Sequence, residues 1–541
     1  MLKKYSFLLL IFVLAIFLRF WQLGDIPPGV HTDEADTGYS AYSILKTGLD
    51  PHGNFNLLAL SDNNTGGTHP PLYTYLLLPL VKFFGLNIFV ERMPSAILGS
   101  LTVLLIFFLV TKLFRSNTLA NLTTFLFAVN PWAIHISRQG LLEAESLFFV
   151  MFGIVLFLYS DKKKYLLIFS AISFGLSLYA YDAPKIFLPP FLLLLFYFCR
   201  LTLFKIKKIF IAFILIFSLF YISVLQLTFV QGDIADYNRS SIFNDVAQNV
   251  DSERFQTNAP LWLSSIFHNK LSVSLKRLET SYASVFSLNW LFVNGSGNLQ
   301  HAVGRHGQFF LFELPFFFIG TYLVFKKNPK IGIFLLGWML IGALPGGLTN
   351  GNYAYRSIHM LPIPIVFSSV GVVWLWELLS KKKTLQRAAA KLLLIGIMGI
   401  YISSYLVTYF FDYPVYASEP WNKEQNDVIR FATEEKDKYK TIFIDGGEPW
   451  AIEYAFFNKI DPHVYQDAYR NIKTFNGKEV IHIDNIYFGI FQLEYVSTPS
   501  AFFPKNSMFI TNANNFPKMP YIKSFKDPGK VRDIFKVFEV R

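Results

Sequence analysis

The stretch PLYTYLLLPLVKFFG, residues 71–85, decides the topology of this chain. It is apolar but only 15 residues long, and it carries Pro79 and Lys82. A helix needs roughly 17–25 apolar residues to cross a hydrocarbon core about 30 Å thick. Read as an interfacial or re-entrant helix, the stretch stays on one membrane face. Outward from it lie eleven spans, near residues 5–21, 94–113, 119–135, 144–160, 165–181, 184–199, 209–228, 309–325, 331–348, 358–379 and 392–411. The basic clusters then fall on one side: Lys3 and Lys4; Lys112 and Arg115; Lys162 to Lys164; Arg200 with Lys205, Lys207 and Lys208; Lys326, Lys327 and Lys330; Lys381 to Lys383 with Arg387 and Lys391. The positive-inside rule makes that side the cytoplasm and places the N-terminus there. Were residues 71–85 to cross, every later cluster would land outside.

Composition agrees. Of 541 residues, 53% are hydrophobic, 18% aromatic and only 16% charged, more apolar surface than one soluble core can hide. The net charge of +12 comes from short runs between apolar spans, so it reflects topology and not nucleic-acid binding. One cysteine, Cys199, rules out an intramolecular disulfide. The first apolar stretch lacks a small-residue cleavage pattern and reads as a retained span. The expected architecture is an α-helical polytopic membrane domain over residues 1–411, with outer loops at 22–92 and 229–308, followed by a soluble extracytoplasmic α/β domain over 412–541. In that tail apolar runs shorten to strand length at Thr441 to Ile444, Val480 to Ile483, Met508 to Thr511 and Phe535 to Val540, with helical stretches at Asn422 to Lys440 and Trp450 to Phe457. The loop DGGEPW, Asp445 to Trp450, reads as a tight strand-to-helix turn, with anion or sugar binding at the helix start as the alternative.

Polar chemistry gathers on the expected outer face. VHTDEADTGYSAYSILKTGLDPHG, from Val30, predicts an amphipathic helix capped by Thr32 or Asp33 and stopped by Gly48, Asp50 and Pro51. Its acidic first turn, Asp33 and Glu34 with Asp36, is ordinary helix capping in a soluble protein, but beside a bilayer such carboxylates are candidates for general-base or metal chemistry. His69, with Pro70 and Pro71, makes a rigid turn into the interfacial helix; alone it caps or stacks. Glu91 and Arg92 open the second span, with a surface ion pair as their plain reading. Arg138 and Glu143 follow span three, Lys185 joins spans five and six beside Asp182, Tyr355 and Arg356 precede span ten, and His359 stands at its start. Together they describe a membrane-level cavity with acids on one wall and Lys, Arg and Tyr on the other, suited to a lipid phosphate. Snorkelling accounts for each basic residue taken singly. The acid and His spacing gives no metal triad, and no Gly-rich phosphate loop is present, so neither metal nor other cofactor is expected.

A first span, an outward loop with Asp-Glu, then HPPLY, then ER-PSA-LG opening the next span resembles the C-type (GT-C) glycosyltransferases, specifically family 39 and the ArnT-like group of protein O-mannosyltransferases and aminoarabinose transferases. The likeness is strongest from Leu18 to Gly99, and the tail is similar to the domain of bacterial members. It implies the GT-C fold and inverting transfer of a sugar from a polyprenyl-phosphate donor to a glycan, lipid or protein hydroxyl on the outer face. It assigns Asp33 as general base, with Glu34 and Glu143 as catalytic companions, Arg138, Lys185 and Arg356 at the donor phosphate, and His69, Tyr355 and His359 in the substrate cavity. The long loop lacks a large MIR-type domain, which weakens protein as the acceptor. The alternatives are a transporter or flippase of lipid-linked sugars and a glycan-binding membrane scaffold; the first is disfavoured because charges avoid the span centres.

Overall fold

Each of the eleven expected spans is helical in the computed structural model, which describes residues 2–61, 68–230, 241–349, 351, 354–493, 499–516, 519–529 and 532–540. Residues 231–240 of the long loop lie outside the described set. The first four helices are α1 (Leu2–Phe20), α2 (Thr32–Thr47), α3 (Leu72–Phe84) and α4 (Ile88–Phe114). Among the described residues, five helical segments are long and apolar enough to cross a membrane: Ile88–Phe114, Ala183–Thr228, Pro329–Gly347, Ile358–Ser380 and Thr384–Tyr416. The second of these comprises two expected spans, the helices Ala183–Leu203 and Lys207–Val230, joined by a 3-10 turn at Phe204–Ile206 and folded back so that the Tyr221 hydroxyl donates to the Lys185 carbonyl. Helix α3, at 13 residues, covers roughly 20 Å along its axis, short of a crossing.

The chain divides into two compact units. The first holds Met1–Arg19, Ala96–Ser137 and Leu142–Leu406; the second holds Phe20–Ser95, Arg138–Leu141 and Val407–Arg541. The acidic loop therefore belongs to the same unit as the tail. In the first unit, Glu313–Lys327 packs on Pro362–Ser380 through Gly320 and Gly371, where a Cβ would stand 1.8 Å and 2.4 Å from the carbonyl oxygens of Phe367 and Phe316. Small residues permit such backbone approach between apolar helices, where no hydrophobic force drives them together.

The tail builds a mixed sheet. With β1 (Leu60–Ser61) paired to β2 (Thr68–His69) in the first loop, the tail strands are β3 (Thr441–Asp445), β4 (Lys473–Phe475), β5 (Lys478–Ile483), β6 (Ile486–Gly489), β7 (Ser507–Asn512), β8 (Lys523–Lys526) and β9 (Asp533–Val540). They run in the order β4-β5-β6-β3-β7-β9-β8. Among the described residues, β3 pairs in parallel with β6 and β7, and the remaining pairs are antiparallel. Phe443, Phe491, Phe503, Phe509 and Phe538 pack a common aromatic core on one face. All four expected strands are present, and β4, β6 and β8 add to them.

Candidate active site

Helix α2 forms because its first turn is acidic and capped and its end meets Gly48 at φ 76°, a left-handed conformation that glycine adopts without strain. The cap is His31, not Thr32 or Asp33: its Nδ1 lies 3.2 Å from the Asp33 N–H, while Glu34 reaches back to the His31 N–H at 3.2 Å. Thr32 is unavailable as a cap because its hydroxyl donates to Glu453 at 2.8 Å.

Glu34 is fully buried and locked in place. Arg92 donates to it twice, from Nε at 2.9 Å and Nη2 at 2.8 Å, and the Gly140 N–H donates at 2.8 Å. The same guanidinium donates to the carbonyls of Pro27 at 2.8 Å, Gly29 at 2.7 Å and Leu23 at 3.3 Å. A planar fork of five donors suits this task, and a lysine could not repeat it. The expected surface pair of Glu91 with Arg92 is thus replaced by a buried pair between Arg92 and Glu34. Glu91 lies against Gly140 and accepts from the Thr37 hydroxyl at 3.3 Å.

Asp33 is held differently. Its side chain is 47% exposed, and Oδ2 lies 3.5 Å from His31 Nδ1. Burial pulls the His31 imidazole down, but Asp33, then Glu34 and Glu453, outweigh it and carry the group up to about 9. A protonated Nδ1 cannot accept the Asp33 N–H; its proton turns to the Asp33 carboxylate instead. At neutral pH an imidazolium therefore stands beside Asp33.

The other expected site residues fall into both units. In the second unit, Arg138 is fully buried and donates to the carbonyls of Trp21 at 2.7 Å, Ile26 at 3.1 Å and Gln22 at 3.2 Å, with Phe410 and Tyr409 against its guanidinium. There it ties down the chain that leads into α2. His69 Nδ1 lies 3.2 Å from the Pro70 carbonyl at the turn into α3. In the first unit, Arg356 hydrogen-bonds to Tyr181, whose phenol also lies in the field of Glu143 and Asp182. Lys185 pairs with Asp182 at 2.5 Å. Tyr355 donates to the Gln300 carbonyl and stacks on His301 at 4.0 Å. His359 is buried, stacked on Phe187 at 4.8 Å and bonded to Ser146 at 3.1 Å, a core position. Glu143, Arg356, Tyr181 and Lys185 thus form one group, while Asp33 and Glu34 sit in the other unit.

His31 and Tyr181 were not legible as site residues. A His preceding an Asp-Glu pair was the available signal for the first. The DGGEPW loop follows β3 and opens a helix as expected, but its Asp445 accepts from the Phe491 N–H at 3.0 Å and from Thr511 at 2.7 Å, securing the strand end. Among the described residues no three His, Cys, Asp or Glu side chains are grouped to hold a metal ion.

Residues 9–235 match the family model described as dolichyl-phosphate-mannose-protein mannosyltransferase. No curated protein matches the chain in sequence. Among solved structures, ArnT from Cupriavidus metallidurans in the apo state is 9% identical with a TM-score of 0.55, over 99% of this chain and 98% of that one. The same enzyme bound to undecaprenyl phosphate gives 10% identity and a TM-score of 0.52, over 98% of each chain. The Archaeoglobus fulgidus oligosaccharyltransferase tethered to an acceptor peptide is 15% identical with a TM-score of 0.51, over 84% of this chain. This chain spans 63% of that oligosaccharyltransferase's length. The fold is that of the GT-C glycosyltransferases, with a strand-containing C-terminal domain.

Proposed function

We propose that this GT-C chain is an inverting membrane glycosyltransferase that moves a sugar from a polyprenyl-phosphate donor to an acceptor hydroxyl of a glycan, lipid or protein. One observation carries the reading: of two adjacent carboxylates on the first turn of α2, Glu34 is enclosed by Arg92 and Gly140 while Asp33 remains open to solvent. A carboxylate used only for capping has no need of a buried twin that fixes its helix. Asp33 is the general base. As the acceptor oxygen forms its bond to the anomeric carbon, its proton passes to Asp33, and the carbon–oxygen bond to the lipid phosphate breaks with its electron pair leaving on the phosphate.

General-base help of this kind is worth roughly 10²–10⁴ in rate. Stabilising the departing phosphate contributes a comparable or larger share. In the first unit, Arg356 and Lys185 are the proposed donor-phosphate ligands, with Tyr181, which lies in the field of Glu143, bonded to Arg356. The names of the similar structures support a lipid-phosphate partner: one ArnT structure holds undecaprenyl phosphate, and an archaeal oligosaccharyltransferase structure holds dolichol-phosphate. The distribution of lysine and arginine between spans supports a reaction on the outer membrane face, with the N-terminus cytoplasmic and the tail outside.

The test is transfer from radiolabelled polyprenyl-phosphate sugar by purified protein. Asp33→Asn is expected to abolish release of polyprenyl phosphate with only a small fall in the unfolding midpoint, because the side chain is half exposed and its charge is paired with His31. Turnover at the wild-type rate in this variant would end the assignment. Arg356→Ala is expected to raise the donor KM well above the acceptor KM; equal loss for both substrates would count against a phosphate contact.

A further inference from the structure

The C-terminal domain grips the chain immediately before Asp33. Asn426 accepts the Val30 N–H on Oδ1 at 2.6 Å and donates from Nδ2 to Glu453 Oε2 at 2.8 Å. Glu453 Oε1 accepts from the Thr32 hydroxyl at 2.8 Å and from Asn422 Nδ2 at 2.9 Å. Asn422 immediately precedes the helix Lys423–Glu435 and Glu453 lies on Gly447–Asn458, so two tail helices converge on Val30 and Thr32 of the first loop. Gly29, at φ 73°, brings the chain so close that a Cβ would stand 2.4 Å from the Trp421 carbonyl oxygen. The Trp421 ring meets His31 edge-on at 6.4 Å.

A domain that needed only attachment would bury apolar side chains here. A fully buried carboxylate is a costly way to dock, unless its charge and its hydrogen bonds serve something nearby. What lies nearby is His31, and beyond it Asp33. We infer that Asn422, Asn426 and Glu453 are positioning residues for Asp33: by fixing Val30 and Thr32 on either side of His31, the C-terminal domain sets where the Asp33 carboxylate stands and keeps a charged imidazole beside it. The inference rests on Asp33 being the base.

The electrostatics point the same way. The charged groups facing His31 are Asp33 and Glu34 from its own helix and Glu453 from the tail, with Arg92 of α4 bound to Glu34. Burial lifts Glu453 to about 7, against the hydrogen bonds from Thr32 and Asn422 and the charge on His31. Above that value Glu453 is ionised and supports the imidazolium. The imidazolium persists until about pH 9, where its loss returns Nδ1 to capping the Asp33 N–H.

Glu453→Gln tests this directly. Its amide cannot accept on both sides: with the oxygen toward Thr32 and Asn422 the NH2 meets Asn426 Nδ2, and with the amide flipped it meets Asn422 Nδ2, so either way two donors face each other and a hydrogen bond of the clamp is lost. The expected result is a kcat lower by roughly 10–100-fold with the donor KM within about two-fold, the pattern of a misplaced catalytic group. The basic limb of the pH–rate profile, near pH 9 in the wild type, is expected to move down by about one unit as one of the three carboxylates facing His31 is neutralised. Thr32→Val is the companion variant, since it removes the hydroxyl that donates to Glu453 and accepts from Asn422 while leaving every tail residue in place, and the same fall in kcat is expected. Loss of thermal stability alone, with wild-type kcat and an unmoved pH profile in both variants, would overturn the inference. Run in parallel, Asp33→Asn separates the two levels. If it is inactive while both variants behave as wild type, the clamp is wrong and the base stands; if it is active, the base falls and the inference with it.

Discussion

Replacing Arg92 by methionine isolates the interaction that holds the acidic loop together. Methionine fills much of the arginine stem's space, so the change removes charge and donors more than volume. It leaves the fully buried Glu34 without its counter-charge and three carbonyls, of Leu23, Pro27 and Gly29, without their donor. Breaking a buried pair by removing one partner costs about 3–5 kcal/mol. Each stranded carbonyl adds about 1 kcal/mol where water cannot reach it, although such terms do not sum simply. Against a total stability of about 5–15 kcal/mol, this is a large fraction. For a unit of roughly 200 residues, each kcal/mol lowers the midpoint by about 2–4 °C, so the unfolding midpoint is expected to fall by about 6–20 °C. The assay is the monodisperse fraction remaining after heating in detergent, at one fixed heating rate because unfolding is irreversible. A midpoint within about 3 °C of the wild type would refute the reasoning. A cycle with Glu34→Gln sharpens it: the two residues act as one unit, so the double variant should lose little more than the worse single one, and simple additivity would count against the pair.

Gly140→Ala should be poorly tolerated, because its Cβ would stand 1.8 Å from Glu91 Oε2 and 2.1 Å from Glu91 Cδ while its N–H must still reach Glu34. A loss of about 2–4 kcal/mol is expected, read as yield and midpoint; wild-type values would show that the loop moves freely there. His52 bonds to Glu448 at 2.8 Å and stacks on Tyr469 at 3.9 Å. Burial pulls its imidazole down, but the hydrogen bond and charge of Glu448, with Asp36 and Asp50, carry it above 6.5. A raised value means stability that is fully present below 6.5 and lost as pH rises through the folded value. The midpoint of the wild type should therefore decline more steeply from pH 6.5 upward than that of His52→Gln, and parallel curves would contradict the linkage.

The helices were legible because their signal is local. Eleven apolar runs and the lysine clusters between them need no partner to be read, and α2 announces itself through its acidic start and Gly48. The four strands found in advance are runs of buried apolar residues. By contrast, β4 and β8 read KTF and KSFK, short and charged as edge strands are, and β6 has only four residues. Asp33 stood out for the same local reason. What the sequence did not disclose is long-range pairing. Arg92 sits beside Glu91 in the chain, yet its partner is Glu34, 58 residues earlier. Arg138 reads as a cation at the membrane boundary and is instead consumed by three backbone carbonyls. Neither choice has a periodicity or a spacing to betray it.

The bond between Val30 and Asn426 joins positions 396 residues apart, which imposes an order on biosynthesis. At about 5–20 residues per second, the ribosome makes the loop segment roughly 20–80 s before it makes the residues that hold it. A nascent or prematurely terminated chain therefore carries the acidic helix without its restraint. Synthesis of Asn422 to Glu453 is the event that closes the restraint, so on the proposed function fragments ending before those residues would stay inert toward lipid-linked sugars.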